Sequence, residues 1–301
     1  MHSLFVFGGA MVDNRESITA KLCAFARAYH SNFEPDKLFD DHLSFDLMGK
    51  EEYEETRAFI LENYTKEMDL REFLYEYFAP IPLARERFTE EHLKRFATEP
   101  CQYVICGAGA DTFSFRNDNE DIEVFEVDHP DTQRYKLERV RSLEWIIPKN
   151  VHFVPVDLNV ETMILGLTEA GFDPGKKTFF TILGVSYYLT LPVFTETLRQ
   201  IAELSANGSL LVFDFPLSGT GYPDRVQHLE QITADLGEKM TGGFSYNDVS
   251  RALYSLGFQI DTYLSADRVQ KAYFDGRKDN MRAFENVSLL SATYTSGYVF
   301  E

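Results

Sequence analysis

The sequence predicts an α/β protein: a mostly parallel seven-stranded sheet with helices on both faces, an N-terminal helical cap, and a lid inserted after the fifth strand. Three observations carry this prediction. Beyond residue 100, short β-branched and aromatic runs alternate with amphipathic helical stretches, the pattern of linked strand–helix–strand units. Those runs are apolar at successive positions, as strands covered on two faces must be. Before residue 100, apolar residues recur instead at helical steps of three and four.

The first helix is read from Ile18, Leu22, Phe25 and Tyr29, which form one stripe. The turn-forming Leu38–Asp41 (LFDD) separates it from an acidic, aromatic helical stretch over Glu51 to Phe78, whose burial candidates are Phe59, Tyr64, Phe73, Leu74, Tyr77 and Phe78. Pro80 and Pro82 are expected to close this section. Strands are predicted at Gln102–Cys106, Ile122–Val127, His152–Val156, Thr178–Leu183 and Ser209–Phe215. Between them lie helices at Thr132–Glu144, with Tyr135, Val140 and Leu143 inward, at Glu161–Ala170, and at Pro192–Ser205, with Phe194, Leu198, Ile201 and Leu204 on one face. Residues 216–243 read as a lid over the carboxyl edge, with a helix near Val226–Leu236. Ser245 then caps a helix running to Leu256, Gly257 ends it, and strands at Gln259–Leu264 and Val287–Thr295 complete the sheet. The expected division is a helical cap over residues 1–98 and a sheet-based region over 99–301, together one structural unit.

Composition narrows the function. Among 301 residues, 29 Lys+Arg stand against 48 Asp+Glu, a net charge of −19. Such a surface is repelled by phosphate backbones and anionic lipid, so neither nucleic acid nor a membrane is an expected partner. Cys23, Cys101 and Cys106 lack the pairing of a disulfide framework and the spacing of a zinc site, and read as buried thiols in a reducing compartment. The opening MHSLFVFGGAMVDN has no basic leader, and no run approaches the ~20 apolar residues of a membrane helix, so a cytoplasmic protein is expected.

The segment Tyr103–Thr112 (YVICGAGADT) carries the most chemistry. A strand runs into Gly107-Ala108-Gly109 and then toward a helix, so the backbone can turn sharply and approach a ligand with no Cβ in the way. The second strand ends in Glu126-Val-Asp128, about 20 residues on, where a carboxylate would accept from a ribose diol. The third ends in Asp157-Leu158, an acid and an apolar residue suited to an adenine amine and its ring face. A dinucleotide fingerprint wants a third glycine where Thr112 stands, and Asp111 would face the phosphates. S-adenosylmethionine has no phosphate and tolerates an acid there. An NAD-dependent oxidoreductase is the alternative.

GAGADT, FEVDHP (Phe125–Pro130), FVPVDL (Phe153–Leu158) and GVSYYLT (Gly184–Thr190) together resemble the leucine carboxyl methyltransferase family, whose bacterial branch includes methyltransferases of polyketide synthesis. The resemblance extends to the LFDD turn, ARERF (Ala84–Phe88) and the late GFSYNDVSRALYSLGF…YFDGR segment. It implies a Rossmann-like class I methyltransferase that uses S-adenosyl-L-methionine, yields S-adenosyl-L-homocysteine and needs no metal. It further implies that Gly107, Ala108 and Gly109 pass under the methionine part, that Asp128, followed by His129, holds the ribose, and that Asp157 and Leu158 hold the adenine. Arg85 matches the arginine that pairs with the cofactor carboxylate; Arg87 is the alternative, since on a helix only one of the two can point inward. A second cation is expected from the first helix, either Arg27 or Lys21, although a solvated surface charge is the simpler reading of both. The family usually has an acid just before Gly184, where this chain has Leu183. Tyr188 matches a family tyrosine and, with Tyr222, is a candidate for the substrate pocket.

The implied reaction is O-methylation of a carboxylate or hydroxyl on a small molecule, for instance a polyketide-like one, or on a protein carboxyl terminus. A hydroxyl needs a base, for which His129, Asp214, Tyr188 and His228 are candidates. After the fourth strand the chain lacks the Asn/Asp-Pro-Pro-Tyr signature of amino methyltransferases. A cofactor-binding module without catalysis is the remaining alternative.

Overall fold

The computed structural model describes residues 18–157 and 162–295. Its centre is a sheet of β1 (Cys101–Cys106), β2 (Ile122–Asp128), β3 (Val151–Pro155), β4 (Thr178–Ile182), β5 (Leu210–Pro216), β6 (Phe258–Leu264) and β7 (Val287–Tyr294). The spatial order is β3-β2-β1-β4-β5-β7-β6. β1 to β5 run parallel, and β7 is antiparallel to both β5 and β6. The chain moves outward from β1 to β3 on one side and returns to β4 on the other. In an open α/β sheet that reversal leaves a crevice outside the carboxyl ends of β1 and β4, the usual ligand position.

Both faces of the sheet are covered, which is why the strands are apolar throughout. Along β1, Tyr103 and Ile105 join one core and Val104 and Cys106 the other. The second core is completed by α8 (Met163–Glu169), α9 (Leu191–Leu204) and α11 (Tyr246–Ser255). On α9, Phe194, Leu198 and Ile201 are fully buried, each contributing roughly 1.5–3 kcal/mol of transfer free energy. α7 (Pro130–Ser142) departs from expectation: Val140 is buried, but Tyr135 and Leu143 are only half-buried, and Gln133 and Lys136 turn inward. The cause is Glu126 on β2. Its sealed carboxylate needs partners, and Lys136 Nζ and Ser114 Oγ each lie 2.6 Å away, while Gln133 donates to its carbonyl at 3.0 Å.

The first core joins the sheet to the N-terminal helices α1 (Ile18–Phe33), α2 (Ser44–Met48), α3 (Lys50–Asn63), α4 (Leu70–Phe73) and α5 (Pro80–Phe96). A π-helical turn, Leu74–Phe78, links α4 to α5. Of the aromatic candidates there, Phe73, Tyr77 and Phe78 are buried, while Phe59 and Tyr64 are half-buried. Pro80 and Pro82 open α5 instead of closing the section before it. Proline is tolerated in a first helical turn, where no intrahelical N–H bond is forgone.

α6 (Phe113–Arg116) is a single turn, and α10 (Asp224–Asp235) is the helix of the insertion. The insertion is tied down at both ends. Leu217 bridges to Phe244, Gly242 N–H donates to Tyr187 O at 2.7 Å, and the Glu238 carboxylate accepts from Ile18 N and Thr19 N at the start of α1. Ser245 caps α11 by accepting from Asp248 N at 3.1 Å, and α12 (Ala266–Val269) runs into a second π-helical turn, Gln270–Phe274. All three cysteines are free; Cys101 and Cys106 are buried and Cys23 half-buried. No helix among the described residues is long and apolar enough to cross a membrane.

Candidate active site

The glycine turn leaves β1 with Gly107 at φ +79° and Gly109 at φ +46°. Nothing lies within 4 Å of where a Cβ on Gly109 would stand, so its backbone borders open space. Asp128, the last residue of β2, curls back onto this turn. One carboxylate oxygen accepts from Gly109 N and the other from His129 N at 2.7 Å. Burial raises the Asp128 pKa, opposed by those two N–H donors and by the Lys136 charge. His129 is the half-exposed cap of α7: its Nδ1 accepts from Asp131 N at 3.2 Å, and its Nε2 lies 3.8 Å from Asp157 Oδ2. Asp157 thus stands beside His129 at the same rim. Leu158 lies outside the described residues. The helix after the turn is the single turn α6, so no extended helix N-terminus faces the glycines as a pyrophosphate would require.

Arg85 reaches the rim from α5. Its side chain is 12% exposed, and Gly184 makes room for it: at φ +72°, a Cβ there would stand 2.5 Å from Arg85 Nη1. Arg87 points away, half-exposed, and pairs with Glu91 at 2.6 Å. Asp214 of β5 organises this corner. Fully buried, it accepts from Gly184 N at 2.7 Å and Tyr187 Oη at 2.8 Å, and lies 3.4 Å from Arg85 Nη1. Burial disfavours the Arg85 charge, but Asp214 and the neighbouring Cys23, Glu86 and Tyr187 together outweigh it and hold its pKa above the ordinary value. Arg85 Nε is buried and has no hydrogen-bond partner among the described residues. Leu183, just beyond β4, is half-buried, and the carboxylate at the β4 end arrives from β5.

Arg27 is no surface charge. It is 5% exposed, and its Nε donates to Asp41 Oδ2 and its Nη2 to Ala110 O, both at 2.8 Å. The helical stripe misplaced it because α1 is packed on several sides, with Ala24, Ala26 and Ala28 also buried. Asp41, from the LFDD turn, accepts from Arg27 and Thr112 and lies 3.4 Å from Arg116 Nε, so the turn braces the glycine loop from behind. Lys21, one third exposed, pairs with Glu52 at 2.7 Å.

Next to the crevice lies a cleft of about 270 Å³ between the insertion, α5 and the ends of β5 and β7, lined by Ile81, Tyr187, Tyr222, Leu229, Met240 and Phe284 among others. Of the two tyrosines named from the sequence, Tyr222 lines this cleft, whereas Tyr187 and not Tyr188 is the tyrosine of the β4–α9 loop that faces it. Two base candidates are otherwise engaged: Asp214 in its three contacts, and His228, exposed on α10, whose Nδ1 lies 3.1 Å from Tyr77 Oη. Burial raises the Tyr188 pKa and keeps that phenol protonated. No group of three or more His, Cys, Asp or Glu among the described residues could hold a metal ion.

Comparison with known proteins bears on the family and the fold. The leucine carboxyl methyltransferase family matches residues 20–202. YktD of Bacillus subtilis (strain 168), whose name assigns it to the S-adenosyl-L-methionine-dependent methyltransferases, is 34% identical over 302 residues, covering 94% of this chain and 99% of its own. A DUF574 family protein from Streptomyces avermitilis MA-4680 shares the fold with a TM-score of 0.60 at 14% identity, over 94% of this chain and 99% of the other. A protein from Thermobifida fusca YX, described as a methyltransferase, does so with a TM-score of 0.59 at 16% identity, over 94% and 96%. Sheet order, crevice and relatives converge: the chain belongs to the leucine carboxyl methyltransferase family and is an S-adenosylmethionine-dependent methyltransferase with the Rossmann-like class I fold.

Proposed function

We propose that the protein is an O-methyltransferase of a small, largely apolar, hydroxyl-bearing molecule that enters the cleft beside Tyr187. The residues of the crevice suit S-adenosylmethionine: an open glycine turn, a carboxylate at the end of β2, and a buried guanidinium whose Nε has no partner among the described residues. In this reading Gly107, Ala108 and Gly109 underlie the methionyl chain, Asp128 takes the ribose, His129 and Asp157 border the adenine, and Arg85 takes the carboxylate. When bound, the cofactor supplies a methyl group on a sulfonium, open to in-line displacement.

The protein's own contribution is placement. Asp214 and Gly184 fix Arg85, and Tyr187, held by Asp214, separates crevice from cleft. Glu238 and Gly242 tether the insertion to α1 and to the β4–α9 loop, beside the cleft. Orientation of two bound reactants supplies roughly 7–11 kcal/mol in favourable cases.

The observation that carries the choice of acceptor is the lining of the cleft. Ile81, Val226, Leu229, Met240 and Phe284 favour an apolar body, and the charged residue among the described lining is Glu230, which repels a carboxylate. Its volume of about 270 Å³ suits one small ring system better than a polypeptide terminus. The test is transfer of radiolabelled methyl to a panel of phenols, aliphatic alcohols and carboxylic acids. A base-stable methyl ether is expected. A base-labile methyl ester would move the assignment to carboxylates, and label on nitrogen or carbon would end the O-methyl reading. A thermal shift with S-adenosylhomocysteine and none with NADH separates this reading from a dehydrogenase; binding without turnover on any acceptor would mark a silent module.

A further inference from the structure

Glu86 follows Arg85 on α5 and is used by nothing described so far. It is only 7% exposed, and among the described residues it makes no hydrogen bond and no ion pair. The residue is enclosed, but its carboxyl oxygens are not among the sealed, unpartnered atoms and so keep some solvent contact, which leaves the carboxyl open to a ligand. The charges around it are those of the crevice: Asp111 after the glycine turn, Arg27 from α1, and Arg85 and Glu90 on its own helix. Both guanidiniums already have carboxylates of their own, Arg27 in Asp41 and Arg85 in Asp214. Two consecutive residues of α5 therefore carry unanswered groups within electrostatic reach of each other, a buried N–H donor on Arg85 and a carboxyl on the enclosed Glu86.

That pair is complementary to an α-amino acid zwitterion, whose carboxylate and ammonium leave the same carbon. We infer that Glu86 is a cofactor-positioning residue that receives the α-ammonium of S-adenosylmethionine while Arg85 receives the carboxylate. The inference rests on the cofactor placement proposed above. It also accounts for Leu183: with no acid at that rim position, the negative charge for the amino group comes from α5. Before the ligand arrives, burial chiefly, and then Asp111, push the Glu86 carboxyl up to about 8. A cation at this site favours the ionised form, so at neutral pH binding should release a proton.

The experiment is calorimetric titration of three ligands: S-adenosylhomocysteine, its α-deaminated analogue, and 5′-methylthioadenosine, which lacks the amino-acid end. In the wild-type protein, removing the amino group should weaken binding about tenfold or more, the range of a hydrogen bond between charged groups. Glu86→Gln should weaken S-adenosylhomocysteine by a similar factor and leave 5′-methylthioadenosine within about twofold. It should also abolish the proton release seen when wild-type titrations at pH 7 are repeated in buffers of different ionisation enthalpy. Equal wild-type affinity for the aminated and deaminated ligands overturns the inference, and needs no variant to fold. So does a Glu86→Gln variant that binds S-adenosylhomocysteine normally, or one that loses all three ligands alike, which would mark a structural role. Failure of wild-type protein to bind S-adenosylhomocysteine at all would instead overturn the cofactor placement beneath it.

Discussion

Replacing Asp214 with Asn tests the corner on which the proposed site is built. The carboxylate is fully buried and meets three donors: Gly184 N, Tyr187 Oη and Arg85 Nη1. An amide keeps one acceptor oxygen, so at least one close donor loses its partner, at about 1 kcal/mol. Arg85 also loses its counter-charge. Breaking a buried pair by removing one partner costs about 3–5 kcal/mol, and the 3.4 Å separation with 12% residual exposure places this pair at or below the lower end. The sum is about 3–4 kcal/mol. For 301 residues at about 2.1 cal/mol/K each, the unfolding entropy near 60 °C is about 0.6 kcal/mol/K, so the melting temperature should fall by about 5–6 °C. Urea unfolding with an unchanged slope reports the free energy directly. A double-mutant cycle with Tyr187→Phe should show a coupling of about 1 kcal/mol, because the two substitutions remove one shared hydrogen bond. A loss under about 1 kcal/mol, or strict additivity in the cycle, would refute the account of this corner.

Three further outcomes are expected. Arg85→Met should weaken S-adenosylhomocysteine about tenfold or more, whereas Arg87→Met, at a half-exposed site paired only with Glu91, should change affinity less than twofold; calorimetry distinguishes them. Glu86 stays protonated in the folded protein up to about pH 8 but ionises near 4.5 when unfolded, so the unfolded chain binds fewer protons between those values. Its contribution to stability is therefore complete below about pH 4.5 and is lost as pH rises toward 8. Relative to wild type, Glu86→Gln should flatten the stability–pH profile from pH 5 to 8 by up to about 1.4 kcal/mol per pH unit, measured by urea unfolding without ligand. Gly242→Ala would place a Cβ 2.1 Å from Ser186 O, a backbone atom that cannot swing aside; it should detach the insertion from the β4–α9 loop and raise the KM for the acceptor more than for the cofactor.

Local pattern made most of the fold readable. Strands covered on both faces are apolar runs, and helices on a sheet carry an apolar stripe, so all seven strands and helices α7 to α11 were placed to within about two residues, whereas the one-turn α6 and α12 are too short to show a stripe and were not bounded. The glycine turn and the acid ending β2 were equally legible, because each sits at a fixed distance along the chain from the strand that precedes it. The N-terminal region was harder. Its prolines start a helix instead of ending a section, and Arg27, assigned to solvent, is buried against Asp41.

What the sequence determined by itself, then, is the alternation that makes a parallel sheet and the short motifs that end its strands. Tertiary structure alone decided which partners the charged side chains meet: Asp214 for Arg85 across 129 positions, the Ala110 carbonyl for Arg27 across 83, and none among the described residues for Glu86. Periodicity records which side of an element is apolar, because burial of apolar surface is a property of each residue. The pairing of ions depends on distance in space, and that is set only when crossovers and strand register bring remote elements to one rim.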